Sequence, residues 1–287
     1  GDPILTMAHV DTLGAVVAEI KSNGRLRLSP VGGFNANNAE AHNCRVYTYD
    51  GQIYEGTIQL ADASLHVNKE YSTTQRTFQS VEVVLDEPVT SKDDVKALGI
   101  TNGCFVCADP NLVVTNSGYI KSRFLDDKLS AAILLGYAKY IRENNITPLR
   151  KVYQHMTVFE EVGHGACASI PEDVTELLSV DMGCVGDGLE CTERQVSICA
   201  KDGHGPYNYQ VTTGLVNAAK KDYAVDIYPF YGSDADAALS AGKDARHGLI
   251  GAGVYASHGY ERSHKDGVVN TFRLLCSYLN GNAPKMD

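Results

Sequence analysis

Two rhythms of apolar and polar residues divide the chain. From about Ala15 to Thr115 the pattern is one of short runs broken by turn residues. Val16-Val17-Ala18-Glu19-Ile20 and Leu26-Arg27-Leu28 flank Asn23-Gly24, and Val46-Tyr47-Thr48-Tyr49 and Ile53-Tyr54 flank Asp50-Gly51. Both dipeptides favour the φ > 0 residues of tight hairpin turns, and their flanks are rich in β-formers. Val81 to Leu85 and Cys104 to Cys107 predict further strands. The expectation is a compact, β-rich unit over 14–115.

From about Ile120 onward strands alternate with helices. Leu129, Ala132, Ile133, Gly136, Tyr140 and Ile141 recur at helical spacing, behind Asp126-Asp127 as candidate N-caps and ahead of Asn144-Asn145. Strands are predicted at Val152 to Phe159, Leu177 to Val180, Val196 to Cys199, Val225 to Phe230 and Leu249 to Tyr255. Helices are predicted at Val211 to Lys221, Ala235 to Ala241 and Gly267 to Leu279. Such alternation predicts an α/β fold, a mainly parallel sheet covered by helices. Ile4 to Ala8 reads as one more strand of that sheet. The larger domain is therefore 1–13 with 116–287, and the β-rich unit is an insertion.

Composition narrows the function. With 25 Lys and Arg against 35 Asp and Glu, the net charge is −10, which argues against a nucleic-acid partner. No apolar run reaches the ~18 residues needed to cross a bilayer. The first residues do not read as a secretory signal. Eight irregularly spaced cysteines read as buried free thiols in a reducing, cytoplasmic setting. Cys104-x-x-Cys107 lacks a second pair at zinc-ribbon distance and reads as structural.

The candidate chemistry lies where the predicted strands end, the position at which open α/β sheets gather active residues. These ends carry His9 and Asp11, Asp126 and Asp127 just before the long helix, Glu160 and Glu161, Asp181, and His258. Imidazoles and carboxylates suit Zn²⁺, Mn²⁺ or Co²⁺, and a pair of such ions shares a bridging carboxylate. His9 and Asp11 point to one face of an extended backbone, so Asp11 is placed to accept from the far ring nitrogen of His9. In Glu160-Glu161 one carboxylate suits a metal and its neighbour a general base. Each site has a plainer alternative: helix caps at Asp126 and Asp127, a solvated turn at Glu160 and Glu161, an Asx-turn at Asp181, structural histidines at 9 and 258. Their joint placement favours the metal reading, because so many acids together need cations.

The stretches AHVDTLG (8–14), LSPVGG (28–33), FLDDKLSAA (124–132), TVFEEVGHGA (157–166), SVDMG (179–183), YGSDADAA (231–238) and YASHGYE (255–261) resemble, in order, the M42 metallo-aminopeptidases, dinuclear enzymes that assemble into tetrahedral particles. The resemblance implies His9, Asp126 (bridging), Glu161, Asp181 and His258 as metal ligands. It also implies Glu160 as base, Asp11 and Asp127 as supporting residues, and the β-rich insertion as a dimerisation domain. The expected reaction is removal of N-terminal residues from peptides with two divalent ions per chain, Zn foremost and Co or Mn as alternatives. The expected assembly is a homo-oligomer, a dodecamer by resemblance. A related dinuclear deacylase or carboxypeptidase, or a non-catalytic metal-binding assembly, are the alternatives. The chain departs from the family pattern at Thr12, where Glu is usual, and around His258, where Arg-Tyr-x-His-Ser is usual. His264 is a nearby competitor for the last ligand, assigned here to the surface. The family's elements upstream of His9 are expected to precede Gly1.

Overall fold

The computed structural model describes residues 1–284. The chain divides into two compact units, Leu13–Asn111 and Gly1–Thr12 with the chain from Leu112 onward.

The Leu13–Asn111 unit is a closed barrel of six strands. In barrel order they are Gly14–Ile20, Leu26–Val31, Val81–Leu85, Ile53–Leu60, His42–Tyr47 and Phe105–Ala108. Alternate residues point inward, so Ala15, Val17, Leu26, Leu28, Val46, Ile58, Val83 and Val106 fill the interior. A register shift between Val17 and Glu19 moves the next inward residue to Ile20. In each predicted hairpin only the glycine takes positive φ, 80° at Gly24 and 85° at Gly51. The turns are thus of the longer kind that ends on a left-handed glycine, not the two-residue kind.

The other unit holds a nine-stranded mixed sheet. Four adjacent strands are parallel: Val152–Thr157, Ile4–His9, Glu176–Val185 and Arg246–Tyr255. Val196–Lys201 runs antiparallel beside the last of these and carries Tyr223–Ile227 at its side. Glu261–His264, Tyr119–Ser122 and Val113–Val114 complete the sheet in antiparallel order. Both faces are covered. Ile4 and Ala8 point into one core with Leu134, Tyr137, Leu178, Ile250 and Leu275, under helices Leu125–Glu143, Tyr209–Ala218 and Lys265–Asn280. Leu5 and Met7, alternating with them, join Leu177, Leu249, Ala235 and Ala238 on the other face, under helix Asp234–Ser240. Burial on both faces is why the central strands read as unbroken apolar runs.

Two expectations change here. Asp181 does not end its strand, which continues to Val185. Because Met7 pairs with Ser179, Asp181 instead stands level with His9, the end of the neighbouring strand, while the extra length pairs with Gly251 to Tyr255. His264 is not a surface residue: it is 1% exposed, its Nδ1 accepts from the Asp266 amide to cap the last helix, and Nε2 lies 2.8 Å from the Ser117 carbonyl. The cysteines are all free; Cys44, Cys104, Cys191, Cys199 and Cys276 are buried, but Cys107 and Cys184 are half-buried and Cys167 is exposed.

Candidate metal centre

At the carboxyl ends of the parallel strands the predicted residues converge. His9 Nε2 lies 2.9 Å from Asp126 Oδ1 and 3.5 Å from Glu160 Oε2. His258 Nε2 lies 3.6 Å from Asp126 Oδ2 and 3.6 Å from Glu161 Oε2. The two oxygens of Asp126 therefore face two different imidazoles. Donor atoms of His9, Asp126 and Glu161 lie within 4.8 Å of one another, as do those of His9, Asp127 and Asp181.

The local backbone explains this convergence. Asp126 and Asp127 were candidate N-caps, but the residue before the Leu125–Glu143 helix, Phe124, makes no side-chain cap, and both aspartates have non-helical φ/ψ. Their carboxylates are turned into the sheet instead. Asp127 Oδ2 accepts the His9 amide at 3.2 Å, and Asp127 Oδ1 is buried with no hydrogen-bond partner. Glu160 and Glu161 lie in a single 3₁₀ turn at the surface, between the exposed Phe159 and Val162, but their own side chains are turned inward, 15% and 5% exposed. Their amides donate to the two oxygens of Asp11 at 3.2 and 3.1 Å. Asp11 also approaches His9 Nδ1, through its carbonyl at 3.2 Å and its carboxylate at 3.5 Å. Asp181 Oδ1 accepts from the adjacent Met182 amide at 2.6 Å within the continuing strand, so no Asx-turn forms there.

Crowding sets the protonation of these groups. Burial first, and the charge of Asp181 next, push the Glu160 carboxyl up to about 10. Burial and Asp126 push Glu161 to about 8 and Asp181 to about 7. Burial and Asp181 hold Asp127 well above the ordinary carboxylate range. Asp126 moves oppositely: burial opposes its ionisation, but the facing imidazoles of His258 and His9 outweigh that and hold it low. The bond to Asp126 raises His258 to about 9. On His9 burial works against the charge, and Asp11 and Asp126 overcome it. These carboxyls ionise together only when more positive charge is supplied than two imidazoles carry. Two imidazoles with three carboxylates are also a donor set for borderline divalent metals. The residues fit a cation.

The centre opens into a cavity of about 490 Å³, lined by Asp126, Glu160, Glu161, Asp181 and His258 and, further along, by His204, Tyr231 and Asp236. Several neighbours escaped the sequence reading. Glu261 is 2% exposed and accepts the amides of both Asp126 and His258. Asp234 accepts from Thr157 Oγ1 at 2.5 Å beneath the Glu160 loop. Asp202 and Asp236 are joined through the Tyr207 hydroxyl. Glu261 had a signal in its place inside the YASHGYE stretch, as did Asp234 and Asp236 inside YGSDADAA; Asp202 had none. Phe124, Phe159, Ala256 and His258 all take positive φ, from 58° to 67°. Left-handed non-glycine residues gather at functional sites because the surrounding structure must hold them there.

The chain has relatives among known proteins. The family model described as M42 glutamyl aminopeptidase matches residues 1–274. YhfE of Bacillus subtilis (strain 168), an aminopeptidase by name, is 46% identical over 275 residues, covering 95% of this chain and 80% of its own. Among solved structures, aminopeptidase APDkam598 from the archaeon Desulfurococcus kamchatkensis superposes with a TM-score of 0.84 at 22% identity, covering 99% of this chain and 80% of that one. The TET1 peptidase of Pyrococcus horikoshii, which can assemble into a tetrahedron or a large octahedral shell, gives 0.81 at 21% identity, covering 96% and 82%. The chain belongs to the M42 peptidase family, whose members are metal-dependent, and is a peptide hydrolase.

Proposed function

We propose that this chain is a dinuclear-metal aminopeptidase that removes N-terminal residues from peptides. The observation that carries the proposal is Asp126, whose two oxygens each face a different imidazole at 2.9 and 3.6 Å. In this reading His9 and Asp181 would hold one divalent ion, Glu161 and His258 the other, and Asp126 would serve both. Zn²⁺ suits the donors best, with Co²⁺ or Mn²⁺ as substitutes. Ions bound there polarise the scissile carbonyl and lower the pKa of water.

The protein's own part is to position groups and move a proton. Glu160 lines the cavity and stands 3.5 Å from His9 Nε2. It takes a proton from the attacking water and returns it to the departing nitrogen of the peptide. Asp11 holds the Glu160 and Glu161 amides, so base and ligand keep one spacing. Asp127, through the His9 amide, fixes the end of the first strand.

The Leu13–Asn111 barrel is proposed as a dimerisation domain and the particle as a homo-oligomer, a dodecamer in the tetrahedral form. The support is the likeness to a TET1 peptidase with such assemblies. Among the described residues no helix is long and apolar enough to cross a membrane, and free thiols favour the cytoplasm.

Glu160→Gln tests the mechanism. It should retain two ions per chain by elemental analysis while kcat on aminoacyl-p-nitroanilides falls by about 10²–10⁴-fold. Near-normal turnover would remove Glu160 from the role of base. Hydrolysis of N-acylated amino acids in place of aminoacyl anilides would favour the deacylase reading.

A further inference from the structure

Glu261 opens the short strand Glu261–His264 and is 2% exposed. Its Oε2 accepts the Asp126 amide at 3.1 Å and its Oε1 the His258 amide at 3.0 Å. One carboxylate thus joins two stretches of backbone whose side chains face each other, with Asp126 Oδ2 and His258 Nε2 3.6 Å apart. His258 sits in a turn closed by Gly259 donating to the Ala256 carbonyl, with φ of 58° at Ala256 and 63° at His258. Such a turn keeps its shape only when something outside it holds it. The Glu261 bond to the His258 amide is such a hold.

A buried carboxylate is a costly way to satisfy two amides unless the pairing does more than fill hydrogen bonds. Both partners are N–H donors, so both oxygens must accept. A carboxamide offers one acceptor and would turn its NH₂ against the other amide. The charge also has a counterpart, since Arg123, 3% exposed, lies within electrostatic reach of Glu261. The same device occurs twice more at this centre. Asp11 from the His9 stretch grips the amides of Glu160 and Glu161, and Asp127 from the Asp126 stretch grips the amide of His9. Glu261 closes the series by tying the His258 stretch to the Asp126 stretch.

We propose that Glu261 is a positioning residue that sets the Asp126–His258 spacing, and with it the affinity of the half of the centre formed by Asp126, Glu161 and His258. The inference rests on the two-ion reading above. It assigns Glu261 no contact with substrate or ion. Its effect falls mainly on that half, which takes both of the stretches that Glu261 ties; the His9–Asp181 half shares Asp126 with it, but His9 itself is held by Asp127 and Asp11.

The test is titration of the metal-free full chain with Zn²⁺ against a competing chelator, resolving two sites, for the wild type and Glu261→Gln. The expected result is one site weakened by about 10–100-fold, the usual effect of removing a ligand's supporting bond, and the other, which shares Asp126, weakened less. Glu261→Asp keeps both acceptors on a shorter arm and should recover part of that loss. The melting temperature of the metal-free protein is read alongside, because a purely structural Glu261 would lower it and leave both affinities alone. Two unchanged sites in Glu261→Gln, whatever its melting temperature, overturn the inference and leave the two-ion reading standing. A wild type that binds fewer than two ions ends both. If Glu261→Gln does not fold, Glu261→Asp carries the test, and wild-type affinity at both of its sites overturns the inference.

Discussion

The central sheet buries acids at both ends, and the ends neutralise them differently. At the amino ends of the parallel strands Glu176 is 4% exposed, and it accepts from Arg150 at 2.6 Å and from the Tyr278 hydroxyl at 2.7 Å, with Arg246 3.5 Å from its other oxygen. At the carboxyl ends, among the described residues, the ion pairs of Asp126, Glu160 and Glu161 are all with His9 or His258. An arginine is always charged and closes its pair permanently. An imidazole is a weaker, replaceable partner that also ligates metals. The first end is complete as a protein structure. The second, in the proposed reading, is complete only when cations come from outside; backbone amides donating to Asp11, Asp127 and Glu261 tie its stretches together, and its one nearby arginine, Arg123, faces Glu261 and not the candidate ligands.

Asp126→Asn is the harshest way to break this comparison, because it removes the one group shared by both imidazoles. Metal content should fall from two ions per chain to one or none, and activity by more than about 10³-fold, beyond what loss of a single base achieves. Two ions retained at full activity would mean that Asp126 bridges nothing. Arg150→Met probes the other end. Leaving Glu176 without its closest charge should destabilise the fold by about 3 kcal/mol, or roughly 6–12 °C in melting temperature for a chain of this size. Ion content and kcat at 25 °C should not change. A loss of bound metal in this variant would show that the two ends are coupled.

How much of this was legible beforehand depended on the range of the signal. Alternation along Leu26 to Leu28 or Val81 to Leu85 is a local pattern, and the barrel strands follow it. The unbroken apolar runs around Leu177 and Leu249 likewise announce strands covered on both faces. The ligand types stood out because strand ends are where a chain can present side chains without filling the core. The failures concern what neighbours impose. Sequence puts Asp181 at a strand end, since Met182-Gly183-Cys184 carry no strand signal of their own; the strand persists because Gly251 to Tyr255 lie beside it. Asp126 and Asp127 look like caps in sequence, and only tertiary contacts with His9 and Glu261 turn them inward. Glu261 serves a residue 135 positions away, a distance at which a single sequence carries no pairing information. His264 followed a polar, turn-like stretch and was assigned to the surface, yet the edge strands and the last helix bury it.

Removing metal should sharpen the contrast without destroying the fold, since only one end of the sheet needs it. An ion present at a hundredfold excess over its Kd stabilises the native state by about 2.7 kcal/mol. Dialysis against a chelator should therefore lower the melting temperature by roughly 5–10 °C per ion lost. Readdition of Zn²⁺ or Co²⁺ should restore both temperature and activity. Restoration of neither would remove the cation from the account of that end of the sheet.

The mildest test concerns the loop that carries the base. Gly165 follows Glu160 and Glu161 closely, and a Cβ placed on it would fall 2.0 Å from Asp234 Oδ1 and 3.1 Å from the Glu160 Cα. Asp234 has little freedom to retreat, because its other oxygen holds the buried Thr157 at the end of the edge strand Val152–Thr157. In Gly165→Ala the loop must move instead, by some tenths of an ångström. A full ångström of misplacement costs about a hundredfold, so kcat should fall by roughly tenfold. Asp11 still grips the Glu160 and Glu161 amides, which keeps the ligands together, so ion content should stay at the wild-type value. A proportionate loss of metal and kcat would show that base and ligand move as one unit, and that the division of labour between Glu160 and Glu161 is finer than the loop can maintain.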